Sequence, residues 1–131
     1  MSRKPEQRMW DRLSRTLGPV ALCQRIEDRF SPDIPDVAFV RKSDGMCGWI
    51  EMKTIPAWSK RSLTKLAHLR PGQVNWLRER ANHGASVWLL LWVEESDEWL
   101  WIYGADVSHN MADVGLSAGD WRFVSHQSPF M

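Results

Sequence analysis

Apolar residues recur along the chain with two different periods, and the changes of period divide it into helices and strands. Residues 5–17, PEQRMWDRLSRTL, place Met9, Leu13 and Leu17 four residues apart. This spacing predicts an amphipathic helix with a proline in its first turn and a Gly-Pro pair after its end. The segment 71–84, PGQVNWLRERANHG, predicts a second helix that lies between a proline and a glycine.

Shorter apolar stretches between and after these helices predict β-strands. They cover residues 20–29, 36–42, 47–54, 86–93 and 98–104. The run SVWLLLWV at 86–93 is apolar throughout, which predicts a central strand covered on both faces. An Asp-Gly turn before residue 47 predicts a hairpin. The basic residues 55–70 show no clean period and predict a loop.

The element order α-β-β-β-α-β-β predicts an α/β fold in which a mixed central sheet is flanked by helices. The connection from 47–54 through the second helix to 86–93 is expected to be a right-handed crossover, which makes those two strands parallel. At 131 residues the chain fits one domain, 1–131. We expect a core over about 5–103, followed by a weakly patterned C-terminal extension, 104–131.

The formal net charge of +1 hides a segregation of charge along the chain. Residues 53–80 hold seven Lys or Arg and one acid, whereas residues 94–120 hold seven acids and no Lys or Arg. Such a chain can present a cationic face that suits a polyanion, although solvated surfaces are the alternative. No apolar run is long enough for a membrane span, and we expect a cytoplasmic protein with Cys23 and Cys47 as buried thiols.

The predicted hairpin carries polar residues on strands that otherwise look buried. Asp36 follows Pro35 at the start of the first strand, and Glu51 and Lys53 share one face of the second because strand side chains alternate. Since the strands pair around the Asp-Gly turn, the three polar side chains are expected to meet at the open end. The alternative is an exposed Glu–Lys pair and a turn aspartate.

Two carboxylates at such close range repel each other unless a cation lies between them. Oxygen ligands favour Mg²⁺, with Mn²⁺ expected to substitute, and the backbone carbonyl of Met52 is placed to be a further ligand. The ammonium group of Lys53 can stabilise the charge that develops at phosphorus during phosphoryl transfer. The hairpin therefore predicts a metal site suited to phosphodiester chemistry.

Pro35-Asp36, followed after fourteen residues by Glu51-Met52-Lys53, resembles the signature of the PD-(D/E)XK nuclease superfamily. The likeness covers about residues 5–103 and implies a restriction-endonuclease-like αβββαβ core. More narrowly, the chain resembles small phage nucleases of the VRR-NUC and Holliday-junction-resolvase type. The resemblance implies Asp36 and Glu51 as metal ligands and Lys53 as the catalytic lysine.

The resemblance also implies residues on the two helices. Such nucleases often add an acid from the first helix, for which Glu6 is the first choice as a catalytic and metal-binding residue and Asp11 the second. Gln73 matches a glutamine that related nucleases place beside the lysine, with an ordinary exposed helix glutamine as the alternative. Asp33 departs from the pattern, because glycine is expected there, and it either tunes the metal site or caps the turn.

Basic residues outside this set are candidates for contacts with DNA phosphates. Arg8, Arg12 and Arg15 form a stripe along the first helix, since they are spaced by about one or two turns. The other candidates lie in and after the basic loop: Lys60, Arg61, Lys65 and Arg70.

Together these features predict a Mg²⁺-dependent endonuclease that hydrolyses DNA phosphodiesters, acts on branched DNA such as Holliday junctions, and works as a homodimer. One alternative is a monomeric flap or nicking nuclease. Another is a nucleic-acid-binding module on a decayed nuclease fold. A phage origin, which would place the protein in the host cytoplasm, is implied by the resemblance alone.

Overall fold

The computed structural model describes residues 4–27 and 30–130, and its elements follow the predicted order. The helices are α1 (Pro5–Leu17), α2 (Pro71–Asn82), α3 (Asn110–Asp113) and α4 (Ala118–Val124). The strands are β1 (Ala21–Arg25), β2 (Val37–Arg41), β3 (Cys47–Ile55), β4 (Ser86–Val93) and β5 (Glu98–Tyr103). β1 is shorter than predicted, and positions 28 and 29 lie outside the described residues. No helix in the described ranges is long and apolar enough to cross a membrane.

The five strands form one sheet in the order β1-β2-β3-β4-β5. β3 and β4 run parallel from the Gly48↔Ser86 pair to the Ile55↔Val93 pair, and all other neighbours are antiparallel. The predicted parallel arrangement of these two strands around α2 is therefore confirmed. The mixed sheet with flanking helices also confirms the predicted α/β fold class.

α1 covers one face of the sheet with the residues that its spacing singled out. Met9, Leu13 and Leu17 are at most 5% exposed, because their four-residue spacing keeps them on one side of the helix. The sheet residues in this cluster are Ala21, Val37, Phe39, Ile50, Met52, Leu90, Trp92 and Trp101.

α2 and the C-terminal segment cover the opposite face. Leu89 and Leu91 of β4 are fully buried there, while Leu90 is buried on the α1 side, so β4 is enclosed on both faces as predicted. Trp121 of α4 is also fully buried in the α2-side cluster. Residues after 104 therefore complete this core, although their sequence pattern is weak.

A stacked pair of tryptophans joins the turn between β4 and β5 to α1. The rings of Trp92 and Trp99 lie 5.1 Å apart at 17°, and their indole N–H groups donate to Asp97 Oδ1 at 2.9 and 3.2 Å. Arg12 lies over both rings at 5.4 and 5.5 Å. Hydrogen bonds from Arg12 and the indoles lower the pKa of Asp97 to about 2.

The expected burial of both thiols is wrong for one of them. Cys23 in β1 is half-buried, but Cys47 is exposed because it lies at the turn end of the hairpin. Burial raises the pKa of the Cys23 thiol.

Candidate active site

The candidate site lies where the sheet opens beside β3. β2 pairs with β3 only from Cys47 to Ile50, whereas β3 continues to Ile55 beside β4. Extending the β2–β3 register by one residue sets Asp36 opposite Glu51. A cleft of about 400 Å³ lies at this opening, and both carboxylates line it. The structure thus brings the two acids together at the open end of the hairpin.

Hydrogen bonds from β3 and from the segment after β1 fix Asp36. Its Oδ2 accepts from the backbone N–H of Met52 at 2.9 Å, and its own carbonyl accepts from the N–H of Ile26 at 2.6 Å. Pro35, just before it, is buried and restricts the entering backbone. Asp36 is therefore held by both β3 and the segment after β1.

Glu51 is buried to an unusual degree for a carboxylate, with 2% exposure. Its Oε2 lies 3.4 Å from Lys53 Nζ, while its Oε1 is buried without a hydrogen-bond partner in the described part of the chain. Burial and the neighbouring charge of Asp36 raise its pKa well above the usual value, and Lys53 acts in the opposite direction. A buried carboxylate oxygen without a hydrogen-bond donor is suited to binding a cation.

Lys53 and Gln73 complete the inner wall of the cleft. The ammonium of Lys53 donates to the carbonyl of His68 at 3.2 Å, in addition to its pairing with Glu51. Gln73 is only 6% exposed, and its Oε1 accepts from the N–H of Arg70 at 3.0 Å. The alternative of an exposed helix glutamine is therefore wrong, because the side chain turns inward to bond the first turn of α2.

The oxygen donors at the cleft fit a hard divalent cation, although fewer carboxylates meet there than the sequence predicts. Asp36 and Glu51 offer carboxylate oxygens, and Mg²⁺ is commonly held by one or two carboxylates while it keeps several waters. Glu6 lines the cleft from α1 but is exposed. No group of three or more His, Cys, Asp or Glu that could hold a metal ion occurs among the described residues. Asp11 does not line the cleft and accepts from Gln7 Nε2 at 3.0 Å.

Asp33 lies against the start of α2 and does not line the cleft. A Cβ atom at Gly72 would collide with its carboxylate, so the close approach requires glycine at that position. A negative charge near a helix N-terminus is favourable. Asp33 therefore lies beside the start of α2, and neither of the two roles considered for it, tuning the metal site or capping its turn, is tested by this contact.

The predicted arginine stripe on α1 is partly engaged within the chain. Arg8 pairs with Glu94 at 2.5 Å, and Arg12 pairs with Asp97 through two contacts of 2.6 and 3.2 Å. Arg15 is exposed in the last turn. The acidic segment after β4 thus neutralises two of the three arginines proposed for phosphate contacts, which favours a structural role for those two.

The other candidate cations lie beside the site or in the loop after β3. Arg70 lines the cleft, and its guanidinium donates to the carbonyl of Pro32, which ties the segment before Asp36 to α2. The three loop cations are exposed: Lys60, Arg61 and Lys65.

The structure adds two charged residues to the cleft that the sequence did not single out. Arg25 at the end of β1 and Glu27 just after it both line the cleft. Pairing of Arg25 with Val37 sets the end of β1 next to the residue that precedes β2. The pairing of β1 with β2 could have identified them, because it places any charged residue at the end of β1 beside the opening of the sheet.

Comparisons with known proteins support the fold. No family model matches the sequence, and no curated protein matches it. Among solved structures, the chain is similar to Hjc, a Holliday junction resolvase from the archaeal hyperthermophile Archaeoglobus fulgidus, with a TM-score of 0.56. The match covers 87% of this chain and 97% of that chain at 16% identity, a level that establishes likeness of fold.

Proposed function

We propose that the protein is a divalent-metal-dependent endonuclease that hydrolyses phosphodiester bonds in branched DNA such as Holliday junctions. The observation that carries the proposal is the meeting of Asp36, Glu51 and Lys53 at the opening of the sheet. The similarity of the fold to a protein described as a Holliday junction resolvase supports the choice of substrate. Mg²⁺ is the proposed cofactor, with Mn²⁺ as its substitute.

Each residue of the cleft has a distinct part in this proposal. Asp36 and Glu51 would hold the cation, with the Met52 carbonyl as a further oxygen ligand. A divalent cation there supplies the Lewis acidity that activates water and stabilises negative charge on phosphoryl oxygens. Lys53 places a positive charge at the cleft, where it can stabilise the transition state. Gln73 has its oxygen bonded to α2, which leaves its amide N–H groups as donors.

The test compares labelled four-way junction, flap and plain duplex substrates, each with Mg²⁺ or EDTA. We expect Mg²⁺-dependent cleavage of the junction, lowered about 10²–10³-fold by Lys53→Ala, the loss seen when one preorganised stabilising donor is removed. Lys42→Ala is the matched control, because Lys42 lies at the turn end of the hairpin, where its ammonium donates to the Gly18 carbonyl, and does not line the cleft.

Other outcomes separate the alternatives. Binding without cleavage, independent of metal and unchanged in Lys53→Ala, would contradict the enzyme and support a binding module. Equal cleavage of every substrate would contradict selectivity for branches. Preferential cutting of the flap by a monomer in analytical ultracentrifugation would support the flap or nicking nuclease over the proposed homodimer. A phage origin, a VRR-NUC relationship, a role in DNA recombination or repair, and a cytoplasmic location stay predictions.

A further inference from the structure

The C-terminal segment forms backbone hydrogen bonds with the loop between β3 and α2, whose His68 carbonyl accepts a hydrogen bond from Lys53. We call residues 110–121 the C-terminal clamp and residues 58–69 the border loop. Thr64 and Leu116 exchange two backbone hydrogen bonds of 2.8 and 3.0 Å. The N–H of Leu66 also donates to the Met111 carbonyl at 2.8 Å. These bonds give a loop without regular structure the fixed partners that a strand would have.

Two residues of the clamp, Trp121 and Gly115, also contact the loop at Thr64. Trp121 is fully buried, and its indole N–H donates to the carbonyl of Thr64 at 2.9 Å. Gly115 has a φ of +96° and approaches Thr64 so closely that a Cβ there would collide with the same carbonyl. One loop carbonyl is therefore held by two donors and enclosed by a glycine that no larger residue can replace without strain.

The far end of the border loop reaches the candidate catalytic lysine. Leu66 and Leu69 are 4% and 2% exposed and anchor a turn in which the N–H of Leu69 donates to the Leu66 carbonyl at 3.0 Å. Within this turn the carbonyl of His68 accepts from Lys53 Nζ at 3.2 Å. His68 follows Thr64 by only four positions, and Leu66 between them is buried, so a shift of the backbone at Thr64 is expected to move the His68 carbonyl.

We propose that the C-terminal clamp is a positioning element of the site: it fixes the border loop so that the His68 carbonyl holds the Lys53 ammonium beside Glu51. Trp121 and Gly115 act through the loop and touch no substrate. The catalytic consequence rests on the proposed nuclease function, whereas the effect on Lys53 itself does not depend on it.

Two variants perturb the clamp and one serves as a control. Trp121→Phe keeps an aromatic ring but removes the N–H donor, and Gly115→Ala introduces a Cβ against the loop carbonyl. Phe123→Ala is the matched control, because Phe123 lies on the same helix and is 91% exposed. Metal-free proteins are labelled with a limiting amine-reactive reagent, and the modification of Lys53 relative to Lys42 is quantified by peptide mass spectrometry.

We expect Lys53 labelling to rise about three- to ten-fold in both clamp variants, the factor expected when one hydrogen bond of a local opening equilibrium is lost. Amide hydrogen exchange at Leu66 should quicken in parallel, and Phe123→Ala should match the parent protein in both measurements. In single-turnover cleavage, the plateau rate should fall by a similar factor while the enzyme concentration at half-plateau stays unchanged.

Unchanged Lys53 labelling in Trp121→Phe, with a normal melting curve, would overturn the proposal. So would equal increases at every lysine, because these would report general loosening of the fold. If Gly115→Ala does not fold, Trp121→Phe decides. A parent protein that cleaves no DNA would reject the nuclease function, while the labelling and exchange data would still decide whether the clamp positions Lys53.

Discussion

The buried carboxylate of Glu51 predicts that the metal-free protein gains stability when this side chain loses its charge. Glu51→Gln keeps the shape of the side chain and removes the ionisable group, at the cost of the 3.4 Å pairing with Lys53. Burial and the neighbouring charge of Asp36 disfavour the ionised form of Glu51 in the folded protein, and each pKa unit of such a shift corresponds to about 1.4 kcal/mol. Allowing for the lost pairing, we expect Glu51→Gln to gain about 1–2 kcal/mol, or about 4–8 °C in melting temperature.

The dependence of this gain on pH follows from the raised pKa of Glu51. Below the ordinary glutamate value of 4.5, the carboxyl is protonated in both folded and unfolded chains and contributes no pH dependence. As the pH rises above 4.5, the unfolded chain releases this proton first, so the parent protein loses stability until the pH exceeds the raised folded pKa. The advantage of Glu51→Gln should therefore be small at pH 4 and largest at alkaline pH.

Thermal unfolding in EDTA, followed by far-UV circular dichroism from pH 4 to pH 9, measures this difference. Glu95→Gln is the matched control, since Glu95 is exposed, and its curve should follow that of the parent protein. Adding Mg²⁺ should raise the melting temperature of the parent protein but not that of Glu51→Gln, because a ligand stabilises only the form that binds it. Glu51→Gln melting at or below the parent temperature at every pH would refute the reasoning.

Three further predictions concern Arg25 in the cleft, the two thiols and the hairpin. Arg25→Ala should weaken binding to a four-way junction in EDTA about five- to ten-fold and lower the slope of log affinity against log salt by about 1. Arg12→Ala should change neither, because Arg12 is ion-paired with Asp97. Fluorescence anisotropy measures affinity and salt slope, and equal effects of the two substitutions would contradict a phosphate contact by Arg25. Cys47 should react with a chromogenic disulfide reagent before Cys23, and loss of the slow phase in Cys47→Ser would show the reverse order. Gly48→Ala should cost about 1–3 kcal/mol in urea unfolding, because its Cβ would meet neighbouring backbone and a buried ring; an unchanged midpoint would exclude that contact.

Short-range patterns predicted the features of this molecule that depend on nearby residues. The spacing of Met9, Leu13 and Leu17 places all three on one helix face, and that face is the buried one. Likewise, an Asp-Gly turn sets the register of the hairpin, and this register was enough to bring Asp36 opposite Glu51. Both inferences rest on geometry that repeats within a few residues.

Such patterns do not predict contacts between segments that are distant in the sequence. Arg8 and Glu94 are 86 residues apart, so a charge count could show two oppositely charged segments but not their pairing. For the same reason the sequence does not show that Arg8 and Arg12 pair with acids after β4, or that Arg25 lines the cleft. Trp121 is fully buried, yet the short helix around it has too little pattern to predict what it covers.

The stacked indoles of Trp92 and Trp99 give the protein a built-in optical reporter. Two rings 5.1 Å apart and nearly parallel couple their electronic transitions, which produces a paired band in the circular dichroism spectrum of the tryptophans. The two indoles face each other across the Trp92↔Trp99 pair of β4 and β5, so the band should report the pairing of these two strands. Formation of this strand pair can therefore be followed during refolding without any added dye.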